Sequence, residues 1–268
     1  MKQSKAKVLS NAELQCFQGA KYFLMDVKYP GIISGCKPGQ FFMLQCGDDT
    51  LLRRPVSIHS IVLPDKMQFL YAVSEGLYRA SGKGTHWLSC LKEGDDLNLI
   101  GPLGNGFSIA SAVKNILIVA GGIGIAPLRY LAENALSQGK RVTLLMGART
   151  ADALYPLRML PSQAKTIVAT DDGSCGIKSS VIDILPDYTG RADQIFTCGP
   201  VAMYRAMADK LKERHIGTPV QVSLEVRMGC GFGVCYGCSI KTRQGMKRVC
   251  KEGPVFNIKD IIWQEVKI

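Results

Sequence analysis

The chain has 268 residues, 47% hydrophobic and 21% charged, with a formal net charge of +11. That composition excludes intrinsic disorder, and the length suits two or three folding units. No apolar run approaches the ~20 residues that a membrane-spanning helix needs.

Lys2, Lys5 and Lys7 precede no long apolar segment, so a secretory leader is not expected and a cytoplasmic protein is. Ten cysteines in that compartment imply free thiols or metal ligands rather than a disulfide framework. Cys16, Cys36, Cys46, Cys90, Cys175 and Cys198 are scattered, and four more crowd near the C-terminus.

From Lys5 to about Phe107 the pattern is short apolar segments broken by turns. KYFLMDVKY, GQFFMLQCG, PVSIHSI and KMQFLYAV read as strands, and YPG, KPG, LPDK and SEG as their breaks. Strands at this spacing predict an antiparallel sandwich or barrel. One helix is expected over 85–91, with Trp87, Leu88 and Leu91 on one face and Thr85 as N-cap behind the glycines of GKGT. Arg-Pro-Val-Ser at 54–57 opens a strand, and alone it reads as an ordinary turn. GPLGNGF supplies the turn that closes this unit.

After Lys114 the rhythm changes. NILIVA, RVTLLMGA, KTIVAT and QIFTCG read as buried strands. They alternate with helices in APLRYLAENALSQG and PVAMYRAMADKLKERHIG, the second opening on Pro200. Alternation of this kind predicts a doubly wound parallel sheet covered on both faces. The units expected are 1–108, 109–220 and 221–268.

Two loops in the second unit suit a nucleotide. AGGIGIAPL joins a strand to a helix, so Gly121, Gly122 and Gly124 bring phosphate close to backbone N–H groups at a helix start. Cys198 and Gly199 in TCGP end a second strand at the same edge, with Cys198 expected to face the crevice. The loop lacks the G-x-G-x-x-G spacing, and a plain strand–helix turn is the competing reading.

The third unit holds MGCGFGVCYGC. Its spacing is Cys230-x4-Cys235-x2-Cys238-x11-Cys250, three clustered thiols and one distant, which matches the plant-type [2Fe–2S] arrangement. Gly229, Gly231, Gly233 and Gly237 would let the loop fold around a cluster and turn amides toward sulfur. Four-cysteine zinc is the alternative, though it favours two separated pairs. No acid occurs among residues 227–251, so Arg227, Lys241, Arg243, Lys247, Arg248 and Lys251 would soften the negative cluster or guide an acidic partner.

A barrel with R-P-x-S and G-x-G-T, then an α/β unit with G-G-I-G-x-A-P-L and C-G-P, resembles the ferredoxin–NADP reductase superfamily. SLEVRMGCGFGVCYGC followed by VCKEGPVF is similar to the electron-transfer subunits of bacterial NAD-linked dihydroorotate dehydrogenase B. The resemblance covers nearly the whole chain. It implies FAD in the barrel, NAD in the α/β unit and a [2Fe–2S] cluster on Cys230, Cys235, Cys238 and Cys250. Arg54, Pro55, Val56 and Ser57 match the flavin stretch, Arg54 at the pyrophosphate and Ser57 near the isoalloxazine. Gly84 and Thr85 match the pyrophosphate G-T pair, and Tyr78 and Arg79 the segment beside the flavin, for which Tyr71–Val73 competes. Gly121, Gly122, Gly124, Cys198 and Gly199 match the nicotinamide-nucleotide side. Relatives with an aspartate ligand form a separate electron-bifurcating group.

The resemblance also implies a partner: an FMN-containing catalytic subunit that oxidises dihydroorotate, assembled as a heterotetramer. No nucleic acid or membrane partner is expected. Related reductase subunits serving another donor, and a zinc-stabilised module with a basic nucleic-acid face, are the alternatives. The three histidines form no catalytic constellation with acids or serines, so His59, His86 and His215 are expected to be structural or surface groups. The acidic ribose partner of an NAD enzyme is not evident after RVTLLMGART, where Arg149 stands.

Overall fold

The computed structural model describes residues 2–266 except 18, 19, 32 and 75–78. Among the described residues six antiparallel strands close a barrel in the order β1-β2-β5-β4-β3-β6. They are β1 (Lys2–Phe17), β2 (Ala20–Lys28), β3 (Phe41–Leu44), β4 (Arg54–Val62), β5 (Lys66–Ser74) and β6 (Asp96–Leu103). β1 is a strand that sequence reading missed. Its run of lysine, serine and alanine has little β propensity, but it pairs with β2 on one side and β6 on the other. Ala6 and Val8 point into the barrel while Lys5 and Lys7 point out.

Helix α1 (Arg79–Ser89) packs Leu88 into the barrel core. It begins well before the expected start at Thr85 and ends before Leu91. Gly82 and Gly84 weaken a helix locally, and packing of its apolar face outweighs that cost of about 1 kcal/mol each. Thr85 is therefore inside the helix, with its hydroxyl donating back to Gly82 O (3.3 Å), and is not an N-cap.

The α/β unit follows its sequence pattern closely. Strands β7 (Asn115–Gly121), β8 (Arg141–Ala148), β9 (Lys165–Thr170), β10 (Ile177–Lys178), β11 (Gln194–Cys198) and β12 (Val220–Ser223) run parallel in the order β10-β9-β8-β7-β11-β12. Helix α2 (Ile125–Ser137) follows β7. The short turns α3 (Val181–Ile184) and α4 (Pro186–Thr189) and helix α5 (Val201–Glu213) complete the layers.

The C-terminal segment is woven into this sheet. The hairpin β13 (Ser239–Thr242) and β14 (Gly245–Arg248) stands outside it, but β15 (Val255–Asn257) returns and pairs antiparallel with β12. One apolar cluster accordingly joins Phe41, Met43 and Leu103 of the barrel, Val222 of the sheet, Ile240 of the hairpin and Val249 and Cys250 just after it. Asn105, just after β6, stitches the join: its N–H donates to Gly253 O (2.6 Å) and its side chain to Glu252 O (3.1 Å). Among the described residues no helix is long and apolar enough to cross a membrane.

Candidate functional site

The Arg-Pro-Val-Ser stretch lies at the start of β4, beside the end of β3. The Arg54 side chain lies across Gly84 of α1. A Cβ on Gly84 would stand 2.8 Å from Arg54 Nε and 3.0 Å from its guanidinium carbon. A side chain there would push the arginine aside, so the fold brings together two segments thirty residues apart in sequence. Arg54 also donates to Leu52 O (2.8 Å), which steadies the guanidinium at the rim. Pro55 and Ser57 are half-buried and Val56 is buried. Tyr78 lies outside the described residues, and Arg79 is the first residue of α1. Tyr71 and Val73 are both spoken for by the barrel interior, Tyr71 donating to Asn11 Oδ1 (2.9 Å).

A cavity of about 570 Å³ opens at the carboxyl ends of the parallel strands, large enough for a dinucleotide half. Gly121, Gly122, Gly124 and Gly199 line it, as expected. Cys198 does not. It is fully buried, and its Sγ stands 4.0 Å from Glu225 Oε1, so a carboxylate occupies the crevice face expected for the thiol. Burial, then the nearby Glu225 charge, pushes the Cys198 thiol well above its ordinary pKa, which keeps it neutral. Glu225 itself is exposed on the cavity side. Tyr204 braces this corner: its hydroxyl accepts from Gly199 N–H (2.9 Å) and donates to Ser223 O (2.6 Å).

Sequence reading missed three titratable residues of this cavity. Tyr22 enters from the barrel strand β2, Glu225 from beyond β12, and Asp171 from the end of β9. Asp171 stands beside Arg149 in the cavity wall. The neighbouring Asp172 is bound instead within its own turn, accepting from Ser174 N–H and hydroxyl (3.0 and 2.7 Å). A carboxylate thus reaches the cavity from β9, the strand paired with β8, through sheet order rather than sequence spacing.

The four clustered cysteines converge from the loop before β13 and the turn after β14. Cys238 and Cys250 are brought together by the hairpin, Cys250 N–H donating to Cys238 Sγ (3.4 Å) and Val249 N–H to Cys238 O (3.1 Å). Cys230 pairs with Cys235, and Val234 N–H donates to Cys230 Sγ (3.3 Å). Partial burial works to raise the Cys230 thiol, but the amides of Cys235, Phe232 and Val234 outweigh it and bring the thiol down to about 6. Burial, reinforced by Cys238, pushes Cys250 up to about 12. Among the described residues no three His, Cys, Asp or Glu side chains form a set that could hold one metal ion; the thiols stand in two pairs.

Four thiols from one loop and the adjoining turn are the donor set that a two-iron cluster would take. Gly231 and Gly233 take positive φ (84° and 89°), as expected. Gly229 and Gly237 do not; they leave space for Cys235 Sγ, which a Cβ would approach to 3.2 and 3.6 Å. The third positive φ is at Tyr236 (57°), which the glycine pattern did not foretell. A Cβ on Gly231 would meet Met43 Sδ at 2.8 Å, so the loop rests on β3. Met43 is in register with Pro55 of the Arg-Pro-Val-Ser stretch, which places the cysteine loop one strand away from it.

Residues 225–262 match the family model described as the iron-sulfur cluster binding domain of dihydroorotate dehydrogenase B. The chain is 37% identical over 251 residues to the dihydroorotate dehydrogenase B (NAD(+)) electron transfer subunit of Desulforamulus reducens, covering 90% of this chain and 93% of that one. The chain belongs to this family. The same-named protein of Caldanaerobacter subterraneus subsp. tengcongensis is 35% identical, with 97% and 98% covered. Among solved structures, one of an NADH-dependent reduced ferredoxin-NADP oxidoreductase superposes with a TM-score of 0.82 at 28% identity, covering 97% of this chain and 90% of that one. Ferredoxin-NADP+ reductase from Plasmodium falciparum shares the fold, with a TM-score of 0.66 at 16% identity over 83% and 96% of the two chains. As an electron transfer subunit, a member of this family works with a catalytic partner subunit.

Proposed function

We propose that this chain carries electrons between a dihydroorotate-oxidising partner subunit and NAD+, through a [2Fe–2S] cluster in 221–268, FAD in 1–108 and the nicotinamide nucleotide in 109–220. The observation that carries the reading is the shared wall: β3 touches the cysteine loop through Met43 and pairs with the flavin stretch at Pro55. Bound FAD exchanges electron pairs with a nicotinamide and single electrons with an iron–sulfur cluster, so it belongs between them.

The residues then act as follows. Arg54, held across Gly84, offers its guanidinium to the FAD pyrophosphate, and Ser57 stands further along the same strand toward the isoalloxazine. By the family resemblance Thr85 is assigned to the same site, together with Tyr78 and Arg79. Gly121, Gly122 and Gly124 admit the NAD pyrophosphate to the start of α2. Gly199, fixed by Tyr204, and Glu225 border the nicotinamide end, with the neutral Cys198 thiol behind them. Cys230, Cys235, Cys238 and Cys250 would hold the cluster, which would supply one-electron transfer.

The partner carries FMN and the dihydroorotate site, and two copies of each subunit assemble. Exposed Phe232, Val234 and Tyr236 in the cysteine loop, with exposed Lys251 against Gly233, suit a partner with an apolar face and an acidic group at its rim. An anaerobic visible spectrum of the purified chain tests the relay. Flavin bands near ~450 nm with a broad iron–sulfur shoulder, both bleached by NADH, are expected. Bound zinc with no flavin would overturn it.

A further inference from the structure

We propose that Arg248 is a positioning residue for the cluster: it holds the cysteine loop in its ligating shape and raises the cluster's reduction potential, acting through one peptide unit on Cys230. The inference rests on the reading that the four cysteines hold an iron–sulfur cluster.

Arg248 ends β14, two residues before Cys250. Its guanidinium donates to Gly233 O (2.8 Å). The N–H of that same peptide unit, on Val234, donates to Cys230 Sγ (3.3 Å). A cation on the carbonyl draws electron density toward oxygen and leaves the N–H more positive, so the two hydrogen bonds strengthen one another. Hydrogen bonds to cluster sulfurs favour the more negative, reduced state and raise the potential. The positive charge is therefore delivered to a ligand sulfur without the side chain touching it.

The same guanidinium fixes two further points. Its central carbon sits 4.9 Å from the centre of the Tyr236 ring, and Tyr236 is the residue with positive φ between Cys235 and Cys238. Glu252 anchors the fork from the far side, its Oε2 accepting from Arg248 N–H (2.7 Å) and Nε (3.2 Å) and its Oε1 from the guanidinium. Side chains of the pair are only 20% and 30% exposed, so solvent does not fully screen them. Carboxylate, carbonyl and aromatic face lie in three directions around one planar group. An ammonium could satisfy one of them but lacks the fork to join all three.

A mere brace and a potential-setting cation predict different results. Removing the cation lowers the potential. Removing its counter-ion, with the guanidinium left in place, raises it. Loosening the loop would instead move both variants in one direction. Arg248→Met, Glu252→Gln and Lys247→Met are made in the full chain and purified anaerobically with FAD. Lys247 is the control, a cation of the same hairpin for which no bond to the loop is seen. Iron and acid-labile sulfide are measured per flavin, and the midpoint is read by EPR-monitored titration.

At the wild-type midpoint, the ratio of reduced to oxidised cluster should fall at least tenfold in R248M, a 59 mV shift for one electron. It should rise in E252Q and move less in K247M than in R248M. If R248M holds no cluster, E252Q decides: a midpoint above wild type supports the proposal, and an unchanged or lower midpoint overturns it. Unchanged midpoints in R248M and E252Q, shifts of the same sign, or an equal shift in K247M would also overturn it, while the cluster reading stands. A wild-type chain with flavin but no iron or sulfide defeats the cluster reading itself, and this inference with it.

Discussion

His59 of the barrel and Tyr155 of the α/β unit meet in a dry contact, Nε2 to hydroxyl at 3.0 Å. The other ring nitrogen, Nδ1, faces Ala126 O at 2.9 Å. A carbonyl only accepts, so Nδ1 carries the proton and Nε2 accepts from Tyr155. The ring is a neutral bridge between β4 and the start of α2, next to the nucleotide loop. Burial, the leading cause, brings its pKa down to about 3.

That bridge gives stability a pH dependence of known sign. An unfolded histidine takes up a proton below about 6.5, whereas the folded one refuses it until about 3. Stability is thus fully present above about pH 6.5 and falls as pH drops through that window, by about 2 kcal/mol at pH 5. His59→Gln should cost about 1–3 kcal/mol at neutral pH and flatten this slope. Denaturant melts at several pH values measure both. An unchanged slope in the variant would show that another group is responsible.

Asp171 opens onto the nucleotide cavity from the end of β9. A carboxylate there accepts ribose hydroxyls and repels a 2′-phosphate. Asp171→Ser is expected to lower kcat/KM for NADH about tenfold and to raise the NADPH-to-NADH ratio by at least as much. Diaphorase assays with both nucleotides on the flavin-loaded chain decide it. Equal losses with the two would remove Asp171 from the ribose site.

Tyr204 is buried, and its hydroxyl joins Gly199 N–H to Ser223 O. Tyr204→Phe leaves both backbone groups without their partner at a cost of about 1–3 kcal/mol. Because Gly199 borders the cavity, KM for the nucleotide should rise several-fold while the flavin spectrum stays the same. Loss of stability with an unchanged KM would confine Tyr204 to packing.

Cys235 is the most exposed of the four clustered cysteines, while Arg54 and Gly84 lie on other elements. Cys235→Ser should purify with FAD but with iron and sulfide lost, keeping NADH-to-flavin electron transfer. Simultaneous loss of flavin would mean that the cluster loop supports the barrel through Met43.

The α/β strands and the cysteine spacing were legible in the sequence because both are local. β8 and β9 are continuous buried runs bounded by turns, and four thiols at fixed separations can be counted without a fold. The units that depend on pairing were harder. β1 is polar by composition and becomes a strand only because β2 and β6 hydrogen-bond to its two edges. α1 carries two glycines and becomes helical where the barrel buries Leu88.

The sequence by itself determined the family, the change from barrel strands to alternating strands and helices, the glycine loops and the spacing of the four clustered cysteines. Tertiary structure alone decided which residues meet. It set Arg54 across Gly84, turned Cys198 away from the crevice behind Glu225, and brought Asp171 into the cavity through strand order. It also carried Arg248 to the Gly233 carbonyl and laid the cysteine loop against β3. The physical reason is common to all of these. Spacing along a chain fixes what a loop can reach on its own, whereas contacts between distant segments depend on sheet order, register and the side chains that burial leaves in place.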